Sequence, residues 1–259
     1  MLTLHPIPAF TDNYIWCLHD DQTAYVVDPG QAEPVLAYLN DRSLVLKGIL
    51  ITHHHWDHVS GVETLAAAFP GIPVWGPTTE TIPGRTISLE EGDSVDLDWG
   101  IQLQVLGVPG HTLGHVAYYS DSTPVGQILF SGDTLFSSGC GRLFEGTPEQ
   151  MYQSLLKFSA LPAETKVCCT HEYTASNLAF ARAVEPANQD IQERCDAVSK
   201  LRDQNLPSLP STIGLELKVN PFLRVTESTV LQSLEAKCGQ RPSNEVATFA
   251  TLRQWKDNF

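Results

Sequence analysis

Apolar runs of four to six residues, broken by turn residues, fill the first two-thirds of the chain, and helix-spaced apolar stripes fill the rest. Residues 13–18 and 23–27, rich in aromatic and β-branched side chains, predict strands. Asp28-Pro29-Gly30 is a turn, and 33–39 has helical spacing. Residues 47–51 read as a buried strand and 59–69 as a helix closed by Pro70-Gly71. Short strands follow at 72–75, 94–97, 101–106, 116–119 and 127–130. Thr147 and Pro148 cap a helix over 147–158, and 166–169 is the last strand of this series. Beyond Tyr173 the pattern turns helical. A helix spans 175–184 and ends at Glu185-Pro186, and Ile191, Cys195, Val198 and Leu201 form one stripe. Two more helices are expected at 228–237 and 243–256, with a lone strand at 215–219. The pattern predicts an α/β domain over 1–172 and a smaller helical domain over 173–259.

The charge balance narrows the partners. A net charge of −14 from only 16 Lys and Arg argues against nucleic acid and against an anionic membrane surface. No apolar run approaches the ~18 residues of a membrane span. Met1-Leu2-Thr3-Leu4-His5-Pro6 lacks a basic n-region and a cleavage pattern, and the six cysteines contain no C-x-x-C pair. A cytoplasmic chain with reduced thiols, acting as a monomer, is the expectation. An anionic substrate would require some of the few cations to gather at its pocket.

Candidate chemistry concentrates at Thr52-His53-His54-His55-Trp56-Asp57-His58, where the strand at 47–51 gives way to a loop. Neutral imidazole and carboxylate suit Zn²⁺ or Fe²⁺. His53 and His55, two apart, can project the same way from extended backbone, while Asp57 and His58 follow in the turn and can face a second point. Three further turns each follow a strand and carry one potential ligand: Gly110-His111-Thr112, Gly132-Asp133-Thr134 and Thr170-His171. One such turn alone would read as a cap or a satisfied polar group; four in one chain point to a metal centre. A non-catalytic metal-binding or sensor protein is the reading from a different class. No G-x-S-x-G elbow suggests a serine nucleophile.

The motifs T-H-H-H-W-D-H (52–58), G-H-T (110–112), G-D-T (132–134) and T-H-E-Y (170–173) closely resemble the metallo-β-lactamase superfamily. Within it, G-C-G-R-L-F-E-G (139–146) and R-Q-W-K (253–256) are similar to glyoxalase II, the hydroxyacylglutathione hydrolases; N-Y-I-W (13–16) and V-D-P-G (27–30) extend the likeness across the chain. The resemblance implies a four-layer αββα sandwich. It implies that His53, His55 and His111 hold one divalent ion and Asp57, His58 and His171 a second, with Asp133 and a water-derived hydroxide bridging them. Zinc leads among the metals, with iron or manganese as alternatives. His54 and His115 would lie behind the ligands.

The implied reaction is attack by a metal-activated hydroxide on the thioester of S-(2-hydroxyacyl)glutathione, chiefly S-D-lactoylglutathione. Asp57 is also a candidate proton acceptor. A thiolate of pKa about 8.5 leaves without a strong general acid. By the same resemblance Arg142, Tyr173, Arg253 and Lys256 line the glutathione site, and Phe144 stands where some relatives carry tyrosine. Read without the family, Arg253 and Lys256 simply complement the C-terminal dipole of the last helix. A mononuclear iron persulfide dioxygenase of the same fold is the alternative activity. A β-lactamase, lactonase or nuclease fits less well, since nucleases of this fold need a basic surface.

Overall fold

The first strand, β1 (Thr3–Ala9), carries Pro6 and Pro8, which explains both its place and why its sequence hides it. Proline lacks the N–H that a central strand donates, so β1 lies at a sheet edge, antiparallel to β2 (Asn13–His19). The computed structural model describes residues Met1–Phe259. After β3 (Thr23–Val27), antiparallel to β2, come β4 (Val45–Leu50), β5 (Val74–Pro77) and β6 (Ile87–Leu89), all parallel, in the order β1-β2-β3-β4-β5-β6. The helices α1 (Ala32–Arg42), α2 (Trp56–Val59) and α3 (Val62–Ala68) connect these strands. Val35 and Leu39 of α1 and Val62 and Leu65 of α3 pack with Val26, Ile49, Ile51 and Val74, the apolar face that parallel strands require on both sides. The single helix expected over 59–69 is instead α2 and α3, separated at Ser60-Gly61, where Gly61 donates its N–H to the carbonyl of Pro29 at 2.9 Å.

A second sheet is antiparallel: β7 (Ser94–Asp96), β8 (Gln102–Gly107), β9 (Val116–Ser120) and β10 (Ile128–Gly132) are neighbours in sequence order, and Lys166–Cys169 lies beyond β10. The two sheets are tied by buried polar anchors: the Tyr118 hydroxyl donates to the Ile51 carbonyl at 2.7 Å, and Trp16 Nε1 donates to the Cys169 carbonyl at 2.9 Å. Apart from Lys166 and Val167, these elements belong to one compact unit of Met1–Gly107, Gly114–Gly132 and Cys168–His171.

The other unit comprises Val108–Leu113, Asp133–Val167 and Glu172–Phe259. It begins with the two-residue strands β11 (Leu135–Phe136) and β12 (Gly139–Cys140) of one hairpin. The helix α4 (Pro148–Ser159) opens with the expected Thr147 cap, completed by Gln150 reaching back to the Thr147 N–H. Lys166 and Val167 of β13 (Lys166–Cys169) pair with β14 (Ser211–Thr212). The rest is α5 (Thr174–Val184), α6 (Gln189–Asp203), α7 (Ile213–Val219), α8 (Ser228–Cys238) and α9 (Glu245–Asp257). The predicted stripe is realised: Ile191 and Val198 pack with Leu178, Ala181 and Val219, and Cys195 lies against them.

The strand expected at 215–219 is the helix α7. Thr212 Oγ1 accepts the Leu215 N–H at 3.2 Å and starts the helix, and Ile213, Glu216 and Val219 form its buried face at helical spacing. Glu216 is fully buried and works as an acceptor: it takes the Ser138 N–H at 2.6 Å, the Ser211 hydroxyl at 2.5 Å and Asn220 Nδ2 at 3.0 Å. Burial pushes its carboxyl above the usual range. Asn220 also donates to the carbonyls of Phe136 and Gly139 at 3.2 and 2.9 Å, so the pair grips the β11–β12 hairpin. No helix is long and apolar enough to cross a membrane.

Gly30 is packed where no side chain fits: a Cβ there would lie 1.8 Å from the Asp57 carbonyl oxygen. Gly30→Ala is therefore expected to cost stability at or beyond the upper end of about 1–3 kcal/mol. Chemical denaturation of the variant against the wild type checks this.

Candidate metal centre

Asp28 organises the histidine tract. It closes β3 in a left-handed conformation (φ 53°), and the turn aims its carboxylate at the end of β4. There it accepts the Thr52 N–H at 2.7 Å and the Thr52 hydroxyl at 2.6 Å, and its Oδ2 lies 3.0 Å from His58 Nδ1. Thr52 fixes the start of the tract. His53 and His55 then project side by side, with Nε2 of the first 3.1 Å from Nδ1 of the second. Helix α2 starts at Trp56, which puts Asp57 and His58 in its first turn.

His58 and His171 follow one rule. A carboxylate only accepts, so the ring nitrogen facing it must carry the proton. His58 Nδ1 donates to Asp28, and His171 Nδ1 donates to Asp12 Oδ1 at 2.8 Å. On the opposite side each Nε2 faces Asp57 Oδ2, at 3.6 Å from His58 and 3.4 Å from His171, so that a cation between them would meet an Nε2 lone pair from each ring. Asn13 Nδ2 holds that carboxylate at 3.0 Å. Ligand atoms of Asp57, His58 and His171 all lie within 4.8 Å of one another.

These spacings fit a metal ion. At 3.4–3.6 Å the carboxylate and the imidazoles are beyond a good charge-assisted hydrogen bond. Two ligands bonded at about 2.0–2.1 Å to one tetrahedral ion are separated by about 3.3 Å. A carboxylate behind Nδ1 is the common support for a ligating imidazole, since it favours the tautomer that leaves Nε2 to the ion.

The second unit carries the same arrangement on a smaller scale. His111 Nδ1 donates to the Arg142 carbonyl at 2.9 Å, and its Nε2 lies 3.4 Å from Asp133 Oδ2. Both residues line a cavity of about 740 Å³, together with Arg142, Phe144, Tyr173, Arg253 and Lys256. Phe144 is exposed and turns its ring toward His111, centroids 5.2 Å apart, while Tyr173 meets Phe136 edge-on at 5.3 Å.

The three cations differ. Arg253 is only 5% exposed, and its donors already have partners: NH1 donates to the Cys140 carbonyl at 2.9 Å, and Nε and NH2 donate to Asp257 Oδ1 at 3.1 and 2.9 Å. Arg142 is exposed, with Nε 3.7 Å from the same Asp257 oxygen. Lys256 donates to the Ser176 carbonyl at 3.3 Å, and its pKa is lowered, first by burial and then by Arg253 and Arg142.

Within the units, then, the structure brings together His53 with His55, Asp57 with His58 and His171, and His111 with Asp133. His54 turns to Glu80 at 3.0 Å, and the buried His115 stacks on His53 with centroids 4.7 Å apart. Sequence reasoning missed Asp12, Asn13, Asp28, Glu80 and Asp257. Of these, Asp28 carried a signal, an Asp-Pro-Gly turn directly after a strand, and Asn13 opened the N-Y-I-W motif without being given a role.

Residues 10–171 match the family model for the metallo-beta-lactamase superfamily, and residues 172–259 match that for the hydroxyacylglutathione hydrolase C-terminus. A hydroxyacylglutathione hydrolase of Pseudomonas putida (strain F1) is 55% identical over 262 residues, covering all of both chains. The chain belongs to the hydroxyacylglutathione hydrolases of the metallo-β-lactamase superfamily. Solved structures carry the fold. The BLEG-1 B3 metallo-beta-lactamase is 25% identical, with TM-score 0.63 over 86% of this chain and 99% of its own. TTHA1623, solved in a di-iron-bound form, is 27% identical, with TM-score 0.57 over 85% of this chain and all of its own. Membership and the His/Asp clusters together support a centre for two divalent ions.

Asp12→Ala removes the acceptor behind His171. It should weaken metal retention by about 10–100-fold in chelator competition. Unchanged retention would mean that the Asp12 contact does not support the ligand.

Proposed function

We propose that the chain hydrolyses the thioester of S-(2-hydroxyacyl)glutathione, chiefly S-D-lactoylglutathione, to glutathione and D-lactate. The observation that carries this is the cavity in which His111 and Asp133 share a wall with Arg142, Arg253 and Lys256. Glutathione carries two carboxylates, and in a chain of net charge −14 such a gathering of cations beside metal-ligand chemistry matches a thioester of that tripeptide. Its size lies in the usual range for small-molecule sites, about 300–1,000 Å³. The match of residues 172–259 to the hydroxyacylglutathione hydrolase C-terminus favours this reading over a mononuclear iron dioxygenase of the same fold.

In this reading His53, His55 and His111 would hold one ion and Asp57, His58 and His171 the other, with Asp133 as a further ligand; zinc is the proposed metal, with iron or manganese as alternatives. Such ions, when bound, would supply a water acidic enough to attack a carbonyl at neutral pH. The residues do the rest. Asp57, steadied by Asn13, accepts a proton as attack proceeds. Arg142 and Lys256 meet the glutathione carboxylates directly, while Arg253 holds the floor of the seat through Cys140 and Asp257. Tyr173 and Phe144 flank the thioester, Phe144 with a ring but no hydroxyl. The leaving thiolate, of pKa about 8.5, needs no acid to expel it. In this reading residues 1–172 would carry the metal ligands together with Arg142 and Phe144, and 173–259 would supply Tyr173, Arg253 and Lys256. Acidic charge and six cysteines outside any disulfide suit a monomer working in the cytoplasm.

The deciding experiment is turnover of S-D-lactoylglutathione by metal-loaded protein. Metal-loaded chain without thioester hydrolysis would overturn the reading. Asp133→Ala is expected to lower both metal content and rate, measured by elemental analysis and steady-state assay. Arg142→Met with Lys256→Met should raise KM for the glutathione thioester at least ~10-fold more than for a small neutral thioester. Lys256 binds a carboxylate only while protonated, and its pKa is lowered. KM should therefore rise with pH below the usual lysine range, and Lys256→Arg should abolish that rise.

A further inference from the structure

Glu80 has no part in the chemistry described so far, yet it is held with care. It lies in the turn after β5, where Arg85 donates through NH1 to the carbonyl of Glu80 at 2.7 Å and also to that of Pro77. Its side chain is only 3% exposed. Oε1 accepts the Gly114 N–H at 3.1 Å, and Oε2 lies 3.0 Å from His54 Nδ1. The approach to Gly114 leaves no room for a side chain: a Cβ there would come within 2.5 Å of Glu80 Cγ and 2.3 Å of Thr79 Oγ1.

Both contacts lead to the same pair of ligands. His54 stands between His53 and His55, and fixing its side chain removes freedom from the backbone dihedrals that aim both neighbours. Gly114 precedes His115, whose ring stacks on His53, centroids 4.7 Å apart and planes 20° from parallel. One carboxylate thus braces the tract from its middle residue and from the ring behind His53. By contrast, His58 and His171 are braced by Asp28 and Asp12, which Glu80 does not touch.

We propose that Glu80 is a positioning residue for the ion held through His53 and His55, acting through His54 and through Gly114 and His115. This rests on the two-ion reading above. The place of the side chain, rather than its charge, carries the effect. A glutamine fills the same volume: its carbonyl accepts from Gly114, and its amide lies beside His54.

The test counts ions per chain during chelator titration of the metal-loaded enzyme. Glu80→Ala should release one of two ions at chelator concentrations about 10–100-fold below those that strip the wild type, and leave the other as tightly held as before. Glu80→Gln should restore retention. Combining Glu80→Ala with His54→Ala should cost less than the sum of the two. Retention of both ions by Glu80→Ala at the wild-type level, or a Glu80→Gln protein as leaky as Glu80→Ala, overturns the proposal. Should Glu80→Ala fail to fold, His54→Ala alone decides: wild-type retention overturns the proposal and selective loss of one ion supports it. A wild-type chain that takes up fewer than two ions instead overturns the two-ion reading, before any variant is made.

Discussion

An imidazole binds a cation only when the right nitrogen is bare and the ring cannot turn away. In this protein that condition is met from behind. Asp28 supports His58, Asp12 supports His171, and the Arg142 carbonyl supports His111; each acceptor fixes the proton on Nδ1 and so dictates which nitrogen is free to bind. Asp28 does this while also anchoring Thr52, the residue that starts the histidine tract. The left-handed backbone at Asp28 is therefore a local cost that sets the direction of several side chains at once.

The cavity lined by His111 and Asp133 depends on a different buried carboxylate. Glu216 and Asn220 bind the β11–β12 hairpin at its tip and along its backbone, and Asn177 Nδ2 donates to the Ser137 carbonyl at 3.1 Å. That hairpin presents the Cys140 carbonyl to Arg253. The guanidinium of Arg253 also lies over Phe222, 5.1 Å from its centroid, and Phe222 packs with Phe180 and Phe249 in the helical core. An apolar core and a desolvated acid thus set where the cations of the cavity stand, at a distance from the chemistry itself.

The clustered His and Asp residues were legible in the sequence because the strand-end turns that carry them are marked by short-range spacing, which survives folding. Most elements were legible for the same reason, as the Thr147 cap and the stripe through Ile191 and Val198 show. What was not legible depends on long-range contact. Asp12 reaches His171 across 159 positions, and nothing near Asp12 marks it. β1 was hidden by prolines that only an edge position tolerates. Residues 215–219 suggested a strand by composition, but the Thr212 cap and the demand for an acceptor under Ser138 made them a helix. Arg253 and Lys256 were expected to share a role. Folding divided it, because Arg253 is buried and satisfied while Lys256 is only partly covered.

Asp257 gives the cavity its own resident anion, bound by Arg253 and close to Arg142. In the proposed reading, an incoming carboxylate would meet an Arg142 guanidinium already neutralised in part, and would gain only the difference between two partners. Departure of the product would be eased by the same amount, since the arginine falls back on a neighbour. On that reading the residue would favour turnover over tight retention and make capture less sensitive to ionic strength than unscreened cations would be.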